Sequence, residues 1–235
     1  YVYFFIICCN YTTKIIDFMT FNILKYREIN DFIEKNTLKN NKKASIIAIS
    51  KSKPLISVRE AINNGIRIFG ENRVQEAKAK FSDLKKEHKD IELHLTGPLQ
   101  TNKVKSAINI FDFFHTLDRE KLALEFNKHL ENTNNKKFFI QINIGSEDQK
   151  SGISINESNE FIKFCINDLK MNVVGLMCIP PINDDPMTYF SSLKNIAKKN
   201  NLKQLSMGMS ADYKNAILAG ASYIRIGTLI FGERH

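Results

Sequence analysis

The sequence predicts an α/β fold, a single (β/α)₈ TIM barrel, and three observations lead to it. From Ser45 onward, a short apolar run alternates eight times with a segment of helical spacing. Glycine or proline ends several of these segments, as at Asn64-Gly65 and Lys53-Pro54. The length of 235 residues suits one domain of this kind. A doubly wound open sheet is the alternative, but its glycine-rich nucleotide-binding motif does not follow the first strand.

One extra helix is predicted before the barrel, over residues 21–35, where apolar residues recur at helical spacing among charged ones. Polar side chains and glycines separate the elements that follow, and Asp118 and Ser210 are placed to cap two of the barrel helices. The eight strands are predicted over residues 45–50, 66–69, 91–95, 111–116, 138–144, 173–177, 204–206 and 223–226. The helices between them are predicted over residues 55–64, from the Gly70-Glu71-Asn72 turn to about 86, and over 102–110, 119–130, 156–169, 187–199 and 211–219.

Composition narrows the function classes. The chain is 43% hydrophobic and 25% charged, which is typical of a globular protein in water. Its formal charge of +9 comes from lysines scattered among asparagines, without a nucleic-acid-binding motif, so we expect no nucleic acid partner. The four cysteines include no pair spaced for a metal and do not suggest an oxidising compartment, which predicts a cytoplasmic protein.

Residues 1–20 are treated as an extension, either disordered or the edge of a fragment, and residues 21–235 as the barrel. The apolar start of the extension, residues 1–9, is too short to cross a membrane and is preceded by no basic residue. We therefore expect neither a membrane anchor nor a signal peptide. A monomer is expected.

The most informative stretch is residues 49–54, where Lys51 and Lys53 follow the first buried strand. At a period of two, both lysines share a side of that strand with Ile47 and Ile49. Ligand sites of barrels lie at the carboxyl ends of the strands. An amine held there beside apolar walls and a second ammonium is expected to have a lowered pKa, as attack on an aldehyde requires. A surface lysine just past a strand remains the alternative.

The loops after strands seven and eight predict a phosphate site, because barrels frequently bind phosphate there. Strand seven ends in Ser206-Met207-Gly208-Met209-Ser210, and strand eight ends in Gly227-Thr228. Glycines allow backbone N–H groups to approach an anion, and hydroxyls add donors. Ordinary turn glycines and a helix cap at Ser210 are the alternative.

Arg225 shares a strand face with Gly227, and a guanidinium inside a barrel needs an acceptor. That acceptor is either a carboxylate or a ring nitrogen of a ligand. Together with a reactive lysine and a phosphate site, the second possibility describes a pocket for pyridoxal 5′-phosphate.

From about residue 44 to the end, the chain resembles the pyridoxal phosphate homeostasis protein family, whose fold is like the N-terminal barrel of alanine racemase. The segments that carry the resemblance are residues 48–54, 69–76, 94–103, 141–144, 150–152, 175–177, 206–210 and 225–228, with Phe231-Gly232.

The resemblance implies a set of roles. Lys51 forms the Schiff base with pyridoxal 5′-phosphate, and Arg225 faces the pyridine nitrogen. Asn72 lines the pocket. Lys53 and Lys150 match lysines near the family's site, with roles left open. The phosphate is held by Ser206, Gly227 and Thr228.

These roles imply a carrier that binds the cofactor on Lys51, buffers it and delivers it to apoenzymes, without a catalytic residue. An arginine leaves the pyridine nitrogen unprotonated, so the ring is a poor electron sink. The alternative is a pyridoxal-phosphate-dependent amino-acid racemase. We expect that activity to be absent, because a racemase needs a second acid–base group, which alanine racemases take from a separate domain. A third possibility, an isomerase without cofactor, would use His94 and His115 as bases.

Overall fold

The computed structural model describes residues 21–37, 42–133, 135–147 and 149–233. The extension proposed at residues 1–20 lies outside these ranges, and so does the end of the chain after residue 233. None of the helices formed by these residues combines the length and the apolar character that a membrane-spanning helix needs.

Eight parallel strands form a closed barrel in sequence order, which confirms the predicted fold class. β8 closes the barrel against β1, with Ile47 paired to Arg225 and Ala48 paired to Ile226. The strands are β1 (Ser45–Ile49), β2 (Ile68–Glu71), β3 (Glu92–Leu95), β4 (Phe113–Leu117), β5 (Lys137–Gln141), β6 (Val173–Met177), β7 (Gln204–Ser206) and β8 (Tyr223–Ile226). The carboxyl ends of parallel strands meet at one rim, so the loops after β1, β2, β3, β7 and β8 can build one site.

Helices surround the barrel, and the predicted extra helix precedes it as α1. The start of α1 joins the end of the chain, because the Asn22 N–H donates to the Ile230 carbonyl (2.7 Å) and the ring of Phe21 packs against Phe231. The helices are α1 (Ile23–Asn36), α2 (Leu55–Asn63), α3 (Val74–Glu87), α4 (Val104–Ile108), α5 (Glu120–Asn127), α6 (Leu130–Thr133), α7 (Ser158–Lys163), α8 (Pro186–Lys199), α9 (Tyr213–Ala219) and α10 (Thr228–Phe231).

Two apolar layers hold the barrel together. The larger one lies between the strands and the helices, and it includes Ile46 and Ala48 of β1. The smaller one contains Phe113, Phe139 and Met177 from three consecutive strands. Alternate residues of a strand point to opposite sides, so β1 contributes to the larger layer with one set and turns the other set toward the barrel axis.

Several predicted boundaries differ from the structure for identifiable reasons. β2 begins at Ile68 rather than at residue 66, because the Ile66 N–H returns to the Ala61 carbonyl at the end of α2. β5 ends at Gln141 rather than at residue 144, and the side-chain amide of Gln141 donates to the Ser151 carbonyl (2.8 Å).

Two predicted helix caps are wrong. The Asp118 carboxylate pairs with the guanidinium of Arg119 (2.5 Å), and Arg119 is itself the N-cap of α5. Ser210 does not cap α9, because that helix begins at Tyr213 with Asp212 as its N-cap. Ser210 is thereby left to the rim of the barrel.

Candidate functional site

Three side chains, which we call the loop clamp, bind the backbone of the loop that carries Lys51 or pair with one another next to it: Glu71, Glu76 and Lys80. The Lys80 ammonium donates to the Ser50 carbonyl (2.6 Å) and lies 2.6 Å from the Glu71 carboxylate and 2.9 Å from that of Glu76. The Glu76 carboxylate also accepts the N–H of Ser52 (2.5 Å). Ser52 has a φ of 60°, so the backbone reverses here in the left-handed region. The clamp therefore fixes a strained turn on both sides of Lys51.

The loop clamp contains a carboxylate, that of Glu71, which is fully buried. The Glu71 side chain is 0% exposed, and its second oxygen, Oε2, has no hydrogen-bond partner among the described residues. Burial raises the pKa of the Glu71 carboxyl, and the neighbouring Lys80 ammonium opposes this shift.

Five of the six predicted site residues line one cavity of about 330 Å³ at the carboxyl rim: Lys51, Asn72, Arg225, Gly227 and Thr228. The remaining lining residues are Ile49, Thr96, Ile179, Met209, Ser210 and Ala211. Lys51 is half-buried, and the cavity takes apolar surface from Ile49 and Ile179. The structure thus brings the predicted amine, guanidinium and rim loops together around one volume.

Ser206, the sixth predicted residue, lies beneath this cavity rather than in its wall. Its side chain is buried, and its hydroxyl oxygen is 2.8 Å from Nδ1 of His115 and accepts an N–H of Arg225 (2.9 Å). Ser210 lies in the wall of the cavity, four residues further along the same loop.

Arg225 crosses from the barrel interior to the cavity. Its guanidinium donates to the Ser206 hydroxyl (2.9 Å) and to the Cys178 carbonyl (2.9 Å), and burial lowers its pKa. A guanidinium has five N–H donors. Two of them are used by described residues, which leaves donors for a ligand in the cavity that Arg225 lines.

Asn72 is positioned by the neighbouring β3 loop. The Thr96 hydroxyl donates to the Asn72 side-chain oxygen (3.0 Å). Gly97 passes so close that a Cβ there would lie 2.6 Å from the Asn72 carbonyl oxygen and 2.8 Å from its Cα. Only glycine fits at Gly97 without moving the backbone of Asn72.

The two additional lysines lie outside this cavity. Lys150 lines a second cavity of about 290 Å³, which shares Asn72, Thr96 and Ile179 with the first. Its ammonium pairs with Glu147 and donates to the Pro180 carbonyl (3.1 Å). Lys53 donates to the Glu233 carbonyl. Both amines are therefore engaged at the rim.

His94 and His115 are fully buried inside the barrel and line neither cavity. Their rings stack on Phe113 (4.2 Å between centroids) and Phe139 (4.4 Å). Burial lowers the pKa of both imidazoles. Neither ring can reach a molecule at the rim, so they are poorly placed to be bases of an isomerase.

The loop clamp and the contribution of Thr96 and Ile179 to the cavity were not predicted from the sequence. A helical Glu76 and Lys80 at a spacing of four residues was a readable signal for an ion pair. The burial of Glu71 had no comparable signal, because a Gly-Glu-Asn sequence is typical of an exposed turn.

Comparison with known proteins relates this site to a family. Residues 33–235 match the family model described as alanine racemase, N-terminal domain. The chain is 38% identical over 201 residues to the pyridoxal phosphate homeostasis protein of Aquifex aeolicus, covering 81% of this chain and 87% of that one. It is 36% identical over 203 residues to the protein of the same name from Escherichia coli K12, covering 81% and 86%.

Solved structures show the same relationship. PipY of Synechococcus elongatus without pyridoxal phosphate superposes with a TM-score of 0.75 at 31% identity, covering 87% of this chain and 99% of that one. The same protein with pyridoxal phosphate bound gives a TM-score of 0.74 at 29% identity over the same shares. Alanine racemase of Acinetobacter baumannii shares the fold, with a TM-score of 0.65 at 16% identity over 87% of this chain and 59% of that one. The chain therefore belongs to the pyridoxal phosphate homeostasis proteins, within the alanine racemase N-terminal domain family.

Proposed function

We propose that this protein binds pyridoxal 5′-phosphate in the 330 Å³ cavity, as a Schiff base on Lys51, and acts as a carrier in vitamin B6 homeostasis. The observation that carries the proposal is that Lys51, Arg225, Gly227 and Thr228 line this one cavity. The relatives named above are pyridoxal phosphate homeostasis proteins, and one of them, PipY, has been solved with pyridoxal phosphate bound.

The residues of the cavity fit this cofactor. A volume of about 330 Å³ is at the lower end of small-molecule sites, roughly 300–1,000 Å³. Arg225 has N–H donors left over, which suits a pyridine nitrogen that accepts a hydrogen bond. The hydroxyls of Ser210 and Thr228 and the backbone at Gly227 suit a phosphate. In this assignment Ser206 serves the site through Arg225, and its predicted role as a phosphate ligand stays a prediction.

The bound cofactor supplies an aldehyde carbon that an unprotonated lysine amine can attack. Lys51 provides that amine at the carboxyl end of β1, and the clamp at Lys80 restrains the turn that presents it. Ile49 and Ile179 give the cavity apolar surface, which disfavours the charged form of an amine.

The lining supports a carrier over the racemase alternative. Racemisation needs a proton donor and a proton acceptor on opposite faces of the cofactor. Among the described residues that line the cavity, the only amine or guanidinium side chains are Lys51 and Arg225, and Arg225 stays protonated, so the lining offers no second acid–base group opposite Lys51. The same proposal includes delivery of the cofactor to apoenzymes. It also includes a cytoplasmic location, a monomeric state and the absence of a nucleic acid partner.

Absorbance of the purified protein tests the proposal. We expect a visible Schiff-base band in the wild type and in Lys53→Ala, and no band in Lys51→Ala. Lys53→Ala is the matched control, because it removes an amine two residues away that does not line the cavity. L-Alanine is expected to remain unracemised after incubation with the loaded protein. Formation of D-alanine would support the racemase, and an unchanged band in Lys51→Ala would refute the assignment of the lysine.

A further inference from the structure

A continuous chain of hydrogen bonds runs through the barrel from its amino end to the cavity. The Glu92 carboxylate lies 2.8 Å from Nε2 of His94, and Nδ1 of His94 lies 2.7 Å from Nε2 of His115. Nδ1 of His115 lies 2.8 Å from the Ser206 hydroxyl, which accepts from Arg225 at 2.9 Å. Glu92 begins β3, so the chain spans about 10 Å along the strands, at about 3.3 Å per residue.

The chemistry of its two ends gives this chain a direction. Arg225 can only donate, so the Ser206 oxygen accepts from it and the Ser206 proton is left for His115. Nδ1 of His115 then accepts, and its proton lies on Nε2, which donates to Nδ1 of His94. The proton of His94 lies on its own Nε2 and is donated to the Glu92 carboxylate. Every bond is satisfied when both histidines are neutral and protonated at Nε2.

The surroundings keep the chain in this state. Both rings are fully buried and stacked on aromatic neighbours, so water does not contact them directly. The remaining charged groups near the rings are Asp112 and Lys137 around His94, while His115 faces Arg225. Burial lowers the pKa of both imidazoles and outweighs the opposing effect of Glu92 and Asp112 on His94, while His94 and Arg225 lower the pKa of His115 further, in agreement with neutral rings.

We propose that Glu92, His94, His115 and Ser206 are positioning residues that hold the Arg225 guanidinium toward the cavity through a one-way hydrogen-bond chain. Glu92 lies at the opposite end of the barrel and sets the direction of every bond above it. Without its carboxylate, His94 can move its proton to Nδ1 and donate to His115. His115 must then donate to Ser206, whose oxygen would receive two donors while its own proton has no acceptor. The effect on the cofactor rests on the proposed function, whereas the direction of the chain does not.

The first test is the protonation of the two rings in the cofactor-free protein, measured by long-range ¹H–¹⁵N correlation spectra of labelled histidine. His94→Phe and His115→Phe assign the signals, and phenylalanine preserves the stacking. We expect both rings to be neutral and protonated at Nε2 at neutral pH. A charged ring, or a proton on Nδ1 of either ring, in the wild-type protein would overturn the proposal.

The second test compares Glu92→Leu with Glu92→Gln, whose amide oxygen can still accept from His94. In Glu92→Leu we expect the tautomer of His115, two bonds away, to change, and pyridoxal phosphate to bind about three- to tenfold more weakly in an absorbance titration. In Glu92→Gln we expect the wild-type tautomers and an affinity within about twofold of the wild type. If His115 and the affinity are unchanged in Glu92→Leu, the chain does not position Arg225. Failure of the wild type to bind pyridoxal phosphate would refute the proposed function, while the spectra would still decide the chain.

Discussion

Replacing Lys80 by methionine tests the clamp that supports the Lys51 loop. In the wild type, the buried Lys80 ammonium contacts two carboxylates, those of Glu71 and Glu76, and donates to the Ser50 carbonyl. Methionine has a similar shape but carries no charge. Of the partners that the described residues provide, the Glu71 carboxylate, with 0% exposure, would keep only the hydroxyl of Ser50 (2.7 Å). The variant thus isolates a buried carboxylate that has lost its counter-ion.

Removing one partner of a buried ion pair costs about 3–5 kcal/mol. We take about 3 kcal/mol, because Glu71 can take up a proton, and this corresponds to a fall in Tm of about 6–12 °C for a domain of this size. Loss of Lys80 removes the main cause that lowers the pKa of Glu71, so this pKa rises further above its unfolded value. The folded state then binds a proton that the unfolded state releases, and stability falls as pH rises through the interval between the two pKa values. The deficit of the variant should therefore be smaller near pH 5 than near pH 8.

Urea unfolding at both pH values measures this deficit, with Lys78→Met as the matched control. Lys78 is exposed on the same helix, and its loss should change the free energy of unfolding by less than about 0.5 kcal/mol. Adding Glu71→Gln to Lys80→Met should recover part of the stability and remove its pH dependence. Equal stability of the Lys80 and Lys78 variants at pH 8 would refute the role of the clamp.

Three further substitutions have defined outcomes. Gly97→Ala forces the Asn72 backbone to move, so we expect a loss of about 1–3 kcal/mol in urea unfolding and weaker pyridoxal phosphate binding; wild-type values for both would contradict the tight packing. Arg225→Lys keeps a charge but cannot form both observed bonds, so absorbance titration should show binding weakened about tenfold or more, and unchanged affinity would contradict its contact with the cofactor. Asp185→Ala removes the hydrogen bond that the Asp185 carboxylate accepts from the Met187 N–H (3.1 Å) at the start of α8. We expect Tm to fall by about 2–4 °C and the affinity for pyridoxal phosphate to stay the same, whereas a changed affinity would contradict a purely structural role of this cap.

The alternation of apolar runs and helical segments predicted the fold, because each strand or helix is specified by residues that are close together in the sequence. The boundaries of β6, β7 and β8 agree with the structure, since turn residues bound these short apolar runs on both sides. Gly220, with a φ of 97°, follows Ala219, so α9 ends at the residue where the sequence predicts the helix over 211–219 to end. Where the local signal was polar, as at the end of β2, the predicted boundary moved by two residues.

Contacts between distant positions could not be read in the same way. Ser206 begins a glycine- and serine-containing loop of the kind that binds phosphate. Its hydroxyl instead points into the barrel, where it bonds to His115, which is 91 residues away in sequence. Glu71 is in a polar stretch, yet its carboxylate is buried and paired with Lys80 of the next helix. The first contact depends on which strands face each other across the closed barrel, and the second depends on how α3 packs against the end of β2. The amine, the guanidinium and the rim loops were predictable because strand ends always meet at one rim.

Borohydride reduction of the protein loaded with pyridoxal phosphate, followed by peptide mass mapping, shows directly which lysine forms the Schiff base. Reduction fixes the cofactor to whichever amine holds it. We expect a single labelled peptide with the added mass on Lys51, and no label in Lys51→Ala. A label on Lys53 or Lys150 instead, or a wild-type protein that takes up no label, would contradict it.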